Sequence, residues 1–476
     1  MLDTATLPAL KSIDSLPGPA SLPLVGNLHQ IDLEHFHEQL EQWCDELGPI
    51  FKIRMGKRDV ICLADTDAIN DLFRLRPSVY RRVRAIESVT AEMNIKGVFS
   101  AEGDEWKLQR KVVAQALNSA HINRFYPKLF ETTGRLQRRW EGLAASATPV
   151  ELCRDVMRYT VDVTTQLAFG IDVDTIGTDG PVVQQHLDKV FPMLHRRINA
   201  PFPYWRYFRL PSDRALARSL AVIEETVNGF IVACRERMSR QPELFEAPGN
   251  FLEAIIAAQA AESGSDFTDQ QIYANVLTLL LAGEDTTANT IAWACKYFID
   301  YPEHFARARA EVDAVLGEAP IPTEPQQLKQ FPFIEAFVNE TMRLKPVGPI
   351  APMETNEPVE LLGYHIPAGT SIFGLTRYIA VAPVNFGAAR NFAPERWLEG
   401  ADNGSEAHNT SAFLPFGTGP RFCPGRNLAL TEIKMVIAML CRNFDLSLAN
   451  PQIPVEEKLA FAMMPKNLHV RFHPRA

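Results

Sequence analysis

Fourteen residues toward the C-terminal end, Phe413-Leu414-Pro415-Phe416-Gly417-Thr418-Gly419-Pro420-Arg421-Phe422-Cys423-Pro424-Gly425-Arg426, hold three glycines, three prolines and one cysteine. No regular helix or strand tolerates Gly and Pro at that density, so the stretch must follow one fixed irregular path. The path ends at Cys423, and residues 427–440 have the apolar spacing of a buried helix. The sulfur is therefore expected just before a helix N-terminus, where unpaired N–H groups and the helix dipole favour thiolate over thiol. Any fold this chain adopts has to wrap a stiff loop and a core helix around that one sulfur.

An electron-rich thiolate held by a rigid loop is a strong axial ligand for haem iron. Phe416-x-x-Gly419-x-Arg421-x-Cys423-x-Gly425 resembles the haem-ligand signature of the haem-thiolate monooxygenases, the cytochrome P450 family. A lone Cys is more often a small buried hydrophobe; five positions at fixed spacing favour the ligand. The resemblance implies that Cys423 binds the iron of haem b and that Phe416 packs beside the sulfur. It further implies that Gly419 turns backbone N–H groups toward the sulfur and that Arg421 reaches a haem propionate. Gly425 would let the next helix approach the porphyrin.

Three further motifs lie upstream in the order of that family. Trp106 and Arg110 are i and i+4, so on a helix the indole N–H and the guanidinium point the same way. Two convergent donors suit a carboxylate, and the resemblance assigns them to haem propionates. Thr268-Asp269-Gln270-Gln271 is a capping box, and the helix it opens is predicted to run to about Asp300, ahead of Pro302. At roughly thirty residues it spans about 45 Å, enough to cross a domain. Gly283 in its middle costs up to about 1 kcal/mol relative to Ala, and Thr286 can bond back to the Ala282 carbonyl and bend the ladder. Such mid-helix exceptions mark functional sites. By resemblance Ala282 and Gly283 lie above the iron, Gly283 makes room for O2, and Asp285 with Thr286 relays protons; Glu284 gets no role. Last, Glu340-Thr341-Met342-Arg343 pairs opposite charges at i, i+3. The family resemblance makes that pair buried, completed by Arg396, and structural.

Elsewhere the sequence speaks in shorter phrases. Residues 16–26, with three prolines and two glycines, form a stiff lead-in. A helix is predicted over 34–47, stopped by Gly48, then a hairpin of strands 51–55 and 60–63. The basic run Arg81-Arg82-Val83-Arg84 reads as a solvated face, with an anchor for an acidic substrate as the sharper alternative. Residues 85–99 fall where the family has its first substrate-facing loop. From 150 to 240 the chain is mostly amphipathic helix, broken at 177–181 and at the aromatic run 200–205. That run reads as local packing under a loop, or else as a lip of a substrate channel. Residues 347–352 are apolar and non-helical, suited to lining a pocket. Where the family often has a base for a propionate this chain has Met353, leaving anchoring to Trp106, Arg110, Arg421 or a residue still to be found. Strands are expected over 361–367 and 468–472, and another substrate-facing turn over 462–465.

Composition narrows the class. With 46% hydrophobic and 22% charged residues the chain reads as an ordinary soluble globular protein, and its net charge of −9 argues against nucleic acid as a partner. Seven scattered cysteines with no C-x-x-C pair give neither a disulfide framework nor a zinc site, which suits the cytoplasm. Residues 1–16 contain Asp3, Lys11 and Asp14, so no signal peptide or membrane anchor is expected there. The resulting expectation is a mainly α chain with a small β region: a lead-in over 1–30 and one haem domain over 31–476, bacterial in type, monomeric, with no fused reductase. Electrons from NAD(P)H would then arrive through a separate ferredoxin and ferredoxin reductase, or a flavodoxin-type donor. The substrate would be an apolar small molecule, with fatty acids, terpenoids, steroids and aromatics all admissible. Two other classes stay open: an isomerase, dehydratase or peroxide-user on the same fold, and a non-catalytic haem sensor.

Overall fold

The computed structural model describes residues 10–178, 190–198, 200, 202–261, 267–400 and 407–475. Its axis is the helix Asp269–Asp300, hereafter the central helix. The capping box forms as the sequence predicts: Thr268 N–H donates to Gln271 Oε1 at 2.8 Å, and Gln271 N–H donates to Thr268 Oγ1 at 3.3 Å. A helix apolar on every side has to be enclosed. Here Leu152–Phe169, Pro302–Leu316, Pro332–Leu344 and the Cys helix Arg426–Asn443 pack around it.

A small β region flanks this helical body. Its five-stranded sheet runs in the order Ile50–Met55, Arg58–Leu63, Ser371–Gly374, Ala351–Thr355, Tyr80–Arg82. The hairpin predicted near residue 56 forms its first two strands, and the preceding helix, Phe36–Leu47, ends at Gly48 with φ +94°. Register in the last pair sets Arg82 opposite Met353. A second hairpin, Glu456–Leu459 with Met463–Lys466, turns at 460–462 within reach of the helices, and Met463 N–H donates to Val347 O at 2.8 Å.

Several expectations change. The strand expected over 361–367 is present but shorter, as Tyr364–Ile366, and it forms a hairpin with Val359–Leu361 that reverses at Leu362-Gly363, whose φ values are +49° and +80°. Both central residues at positive φ is the two-residue geometry that antiparallel twist prefers. Arg81 to Arg84 is a solvated face only at Arg84, which is exposed, while Arg81 and Arg82 are half-buried. Arg81 pairs with Glu87, Arg84 pairs with Glu354, and Arg82 Nε donates inward to Phe99 O at 2.9 Å. The break expected at 177–181 lies, from residue 179, outside the described residues, as does Pro201. Of the aromatic run that follows, Tyr204 and Trp205 are buried as packing residues while Phe202 is exposed.

Glu340 and Arg343 are both fully buried and 2.7 Å apart. Arg396 Nε reaches the same carboxylate at 3.1 Å, and Trp397 Nε1 donates to it at 2.8 Å. The Trp397 ring packs against Phe413, where the cysteine loop begins, with centroids 4.6 Å apart. The buried, structural ion-pair group expected from the resemblance is therefore present, and through Trp397 it touches the cysteine loop.

Candidate active site

The cysteine loop closes on itself through one bond: Cys423 N–H donates to Phe416 O at 2.9 Å. Gly417 and Gly419 take φ of +67° and +69°. A Cβ on Gly419 would lie 2.8 Å from both Arg74 Cα and Phe73 O, so the loop needs glycine there for conformation and for space. The Gly425 and Arg426 N–H groups reach the sulfur, as a helix N-terminus should. Even so, burial pushes the Cys423 thiol above its ordinary range, while those N–H groups and the Arg110 guanidinium pull it down. The thiolate preference expected from the helix end is thus present but outweighed by desolvation in the protein alone.

On the central helix, Leu277 and Leu279–Leu281 are buried before the motif, and Thr287–Cys295 are buried after it. Between them, Ala282 is exposed and Gly283, Glu284, Asp285 and Thr286 are half-accessible, in the middle of the core. The helix therefore borders an interior opening along the motif. Thr286 Oγ1 donates to Ala282 O at 2.8 Å, the back-bond predicted from the sequence. Gly283 meets the neighbouring helix: a Cβ there would stand 3.0 Å from Thr164 Oγ1 and 3.1 Å from Thr164 Cγ2. One turn earlier on that helix, Thr160 Oγ1 donates to Glu284 O at 2.9 Å. Asp285 lies within electrostatic reach of Cys153 on the same helix.

A third group gathers beside the Gly103–Ala116 helix, which carries Trp106 and Arg110. The Arg421 guanidinium lies 4.5 Å from the Trp106 ring centroid, and Arg110 stacks over Phe422 at 4.7 Å. Arg421 pairs with Glu102 at 3.0 Å, and Arg76 lies 3.6 Å from the same carboxylate. Arg82 is close enough to both arginines to feel them, and its guanidinium covers the Phe99 ring at 3.8 Å. Arg76 Nε and Nη2 and Arg421 Nε are buried and donate no hydrogen bond. Three guanidinium groups thus face one carboxylate in a desolvated place. Burial first, then repulsion from Arg76, pushes Arg421 down to about 9.

That imbalance tests the fit of a haem. Two excess positive charges and three unused N–H donors match the two carboxylates of haem b, and unpaired buried charge is otherwise strongly unfavourable. The residues fit the group. Arg76 and Arg82 are the ones sequence reasoning missed. Met353 does lack the base, but Arg82 stands directly across the ladder from it. The signal lay in the run Arg81 to Arg84, which reads as surface until the strand register is known.

A mainly helical body with a cysteine presented from a Gly/Pro loop, and cations gathered nearby, defines a haem-thiolate protein. The cytochrome P450 family model matches residues 16–472, and the chain belongs to the cytochrome P450 family. It is 27% identical over 440 residues to Protein LUTEIN DEFICIENT 5, chloroplastic, of Arabidopsis thaliana, covering 90% of this chain and 73% of that one. It is 26% identical over 471 residues to the self-sufficient cytochrome P450 monooxygenase CYP505E4 of Penicillium expansum, covering 97% of this chain but 43% of that one. The chain therefore spans less than half the length of that fungal relative. Its fold matches a crystal structure of the cytochrome P450DA heme domain at TM-score 0.85 and 21% identity, over 98% and 99% of the two chains. The family works with haem b and O2, and NAD(P)H electrons reach it through partners or a fused reductase. Among the described residues no helix is long and apolar enough to cross a membrane.

Proposed function

We propose that this chain is a monooxygenase acting on an apolar organic substrate. Cys423 Sγ would hold haem b, whose chemistry when bound would be reductive activation of O2 and transfer of one oxygen atom, the other leaving as water. Arg421, Arg82, Arg76, Trp106 and Arg110 would hold its carboxylates. On this reading the apolar wall of the opening is assigned to residues 347–352 and to Phe99 and Phe461, whose ring centroids lie 6.1 Å apart. A dry wall keeps bulk water out, so protons have to be delivered locally. On this reading Thr286 Oγ–H takes that task; to donate into the opening it must release Ala282 O. Asp285, one residue back, resupplies it. The observation that carries the reading is this acid–alcohol pair on the accessible stretch of an otherwise buried helix. An isomerase or peroxide-user would need no such pair.

For electrons, the reading is a separate ferredoxin and ferredoxin reductase. Lys107 and Lys111 on the propionate-side helix and Arg426 after the ligand loop would offer the docking charges. Lys107 is already paired with Asp104 at 2.8 Å, in an exposed pair that salt screens readily.

The test supplies the purified chain with ferredoxin, reductase and NAD(P)H over an apolar compound library, assaying product and hydrogen peroxide together. Thr286→Ala should keep NAD(P)H consumption while diverting electrons to peroxide, and Asp285→Asn should slow turnover, by about 10²–10⁴-fold if each acts as a general acid. Cys423→His should replace the red-shifted thiolate Soret band of the reduced CO complex. Wild-type coupling and rate in both distal variants would sink the oxygenase reading and favour the isomerase.

A further inference from the structure

One polar side chain on the central helix is unused by the chemistry proposed for the opening. Asn275 is 1% exposed, and its amide is fully engaged. Nδ2 donates to Gln109 Oε1 at 2.9 Å and to Gln271 O at 2.8 Å, and Oδ1 accepts from Val98 N–H at 2.8 Å. Gln109, wholly buried, extends the contact: its Nε2 donates to Lys96 O at 3.4 Å and to Glu105 Oε1 at 3.2 Å. The same Glu105 carboxylate pairs with Lys96 Nζ at 2.8 Å. Two buried amides thus tie the central helix, and the helix of Trp106 and Arg110, to one short stretch of irregular chain, residues 96–99.

That stretch is seated closely as well as bonded. A Cβ on Gly97 would lie 2.2 Å from Thr278 Oγ1 and 2.6 Å from Ala274 O, so the loop meets the central helix there only because it has glycine. Phe99 is held from another side, since Arg82 Nε donates to its carbonyl and the Arg82 guanidinium covers its ring. A loop ordinarily leaves its backbone groups to water and moves. Here Lys96 O, Val98 N–H and Phe99 O are bonded by side chains from two helices and a strand. Asn275 stands eight residues before Gly283, about 12 Å along the same helix. The loop is therefore held to the element that carries Gly283 and Thr286.

From this we infer that Asn275, with Gln109, is a positioning residue: the amide pair fixes residues 96–99, and with them the Phe99 ring, as a rigid wall against which bulky apolar ligands are bound. The inference rests on the reading of the opening as an apolar substrate site, and not on oxygen transfer itself. An apolar side chain at 275 would fill the space but leave Val98 N–H and Gln109 Oε1 buried without partners. The helix would keep its own hydrogen-bond ladder, whereas the loop has no ladder to fall back on and would loosen. A loosened wall has to be ordered each time a large ligand packs on it, which weakens that ligand. A ligand too small to reach the wall is unaffected.

The experiment titrates the haem-loaded full chain with two nitrogen ligands of iron, imidazole and the bulky azole clotrimazole, each followed by the shift of the Soret band. Asn275→Leu is close in size and removes the amide. Imidazole should bind it within about twofold of wild type, and clotrimazole about tenfold more weakly, the effect of losing one buried hydrogen bond. A merely structural role would lower melting temperature and haem content without separating the two ligands. Hydrogen exchange read by mass spectrometry on peptides covering 96–99 needs neither ligand nor turnover. It should be slow in wild type and faster by about tenfold or more in the variant. Should Asn275→Leu not fold, Asn275→Ala takes its place with the same expectations. Equal weakening of both ligands, an unchanged ratio, exchange that stays slow in the variant, or fast exchange at 96–99 in wild type each overturns the inference. Absence of any oxygenated product, with the ligand split intact, would sink the monooxygenase reading and leave the positioning role standing.

Discussion

The buried arginines make the most exacting prediction, because apoprotein and haem-loaded protein must respond with opposite signs. The perturbation is Arg76→Met, which keeps length and removes charge. In the apoprotein Arg421 is held at about 9, well below the ordinary guanidinium range, so keeping it charged costs on the order of a few kcal/mol. Repulsion from Arg76 is the largest cause after burial. Arg76 also leaves Nε and Nη2 buried without acceptors, each worth about 1–3 kcal/mol of lost hydration. Against this stands its attraction to Glu102 at 3.6 Å, a carboxylate Arg421 already holds at 3.0 Å. The repulsion and the orphaned donors outweigh the pair, so Arg76→Met should stabilise the apoprotein by about 1–3 kcal/mol, read as a higher urea midpoint. With haem bound the same change removes a charged hydrogen bond to a propionate, about 1.5–3 kcal/mol, so haem should leave for an excess of a haem-scavenging globin about 10–100 times faster. If Arg76→Met destabilises the apoprotein and leaves haem release unchanged, the cluster is a structural ion network and the fit to propionates fails.

Three other outcomes follow from single contacts. Burial would raise the Glu340 carboxyl, but Arg343, the Ala393 N–H and Trp397 hold it below 4.5; its stabilisation is present above that pH and is lost as pH falls through the lowered value. Glu340→Gln should therefore cost about 3–5 kcal/mol at pH 7 and flatten the acid limb of stability, measured by urea unfolding from pH 3 to 7; an unchanged acid limb would contradict this. Gly419→Ala places a side chain at φ +69° and 2.8 Å from Phe73 O, so a loss of about 2 kcal/mol or more is expected, with a reduced haem-to-protein ratio. Gly283→Ala should destabilise through Thr164, 3.0 Å from the new Cβ. In a Thr164→Ala background it should instead gain up to about 1 kcal/mol of helix propensity, and a double-mutant cycle that closes to zero would refute the contact.

What the sequence alone determined is what local rules govern. The capping box at Thr268 and the bond from Thr286 to Ala282 each join residues no more than four apart, and the central helix between Thr268 and Pro302 is set by such local signals. They could be written down before any tertiary contact was known. The cysteine loop was legible for the same reason, since Gly and Pro at that density leave one path. The resemblance carried by four short motifs then supplied the cofactor and the buried brace around Glu340. Tertiary structure decided everything that depends on a partner distant in the chain. Arg82 stands beside Met353, where the base is missing, only because antiparallel register puts the two opposite, and Arg76 meets Arg421 from a segment distant in the sequence. Gly283 owes its lack of a side chain to Thr164, a neighbour on another helix. Cys423 shows both levels at once. The helix N-terminus that favours its thiolate is local and was readable, but the burial that opposes it is a property of the whole packed interior.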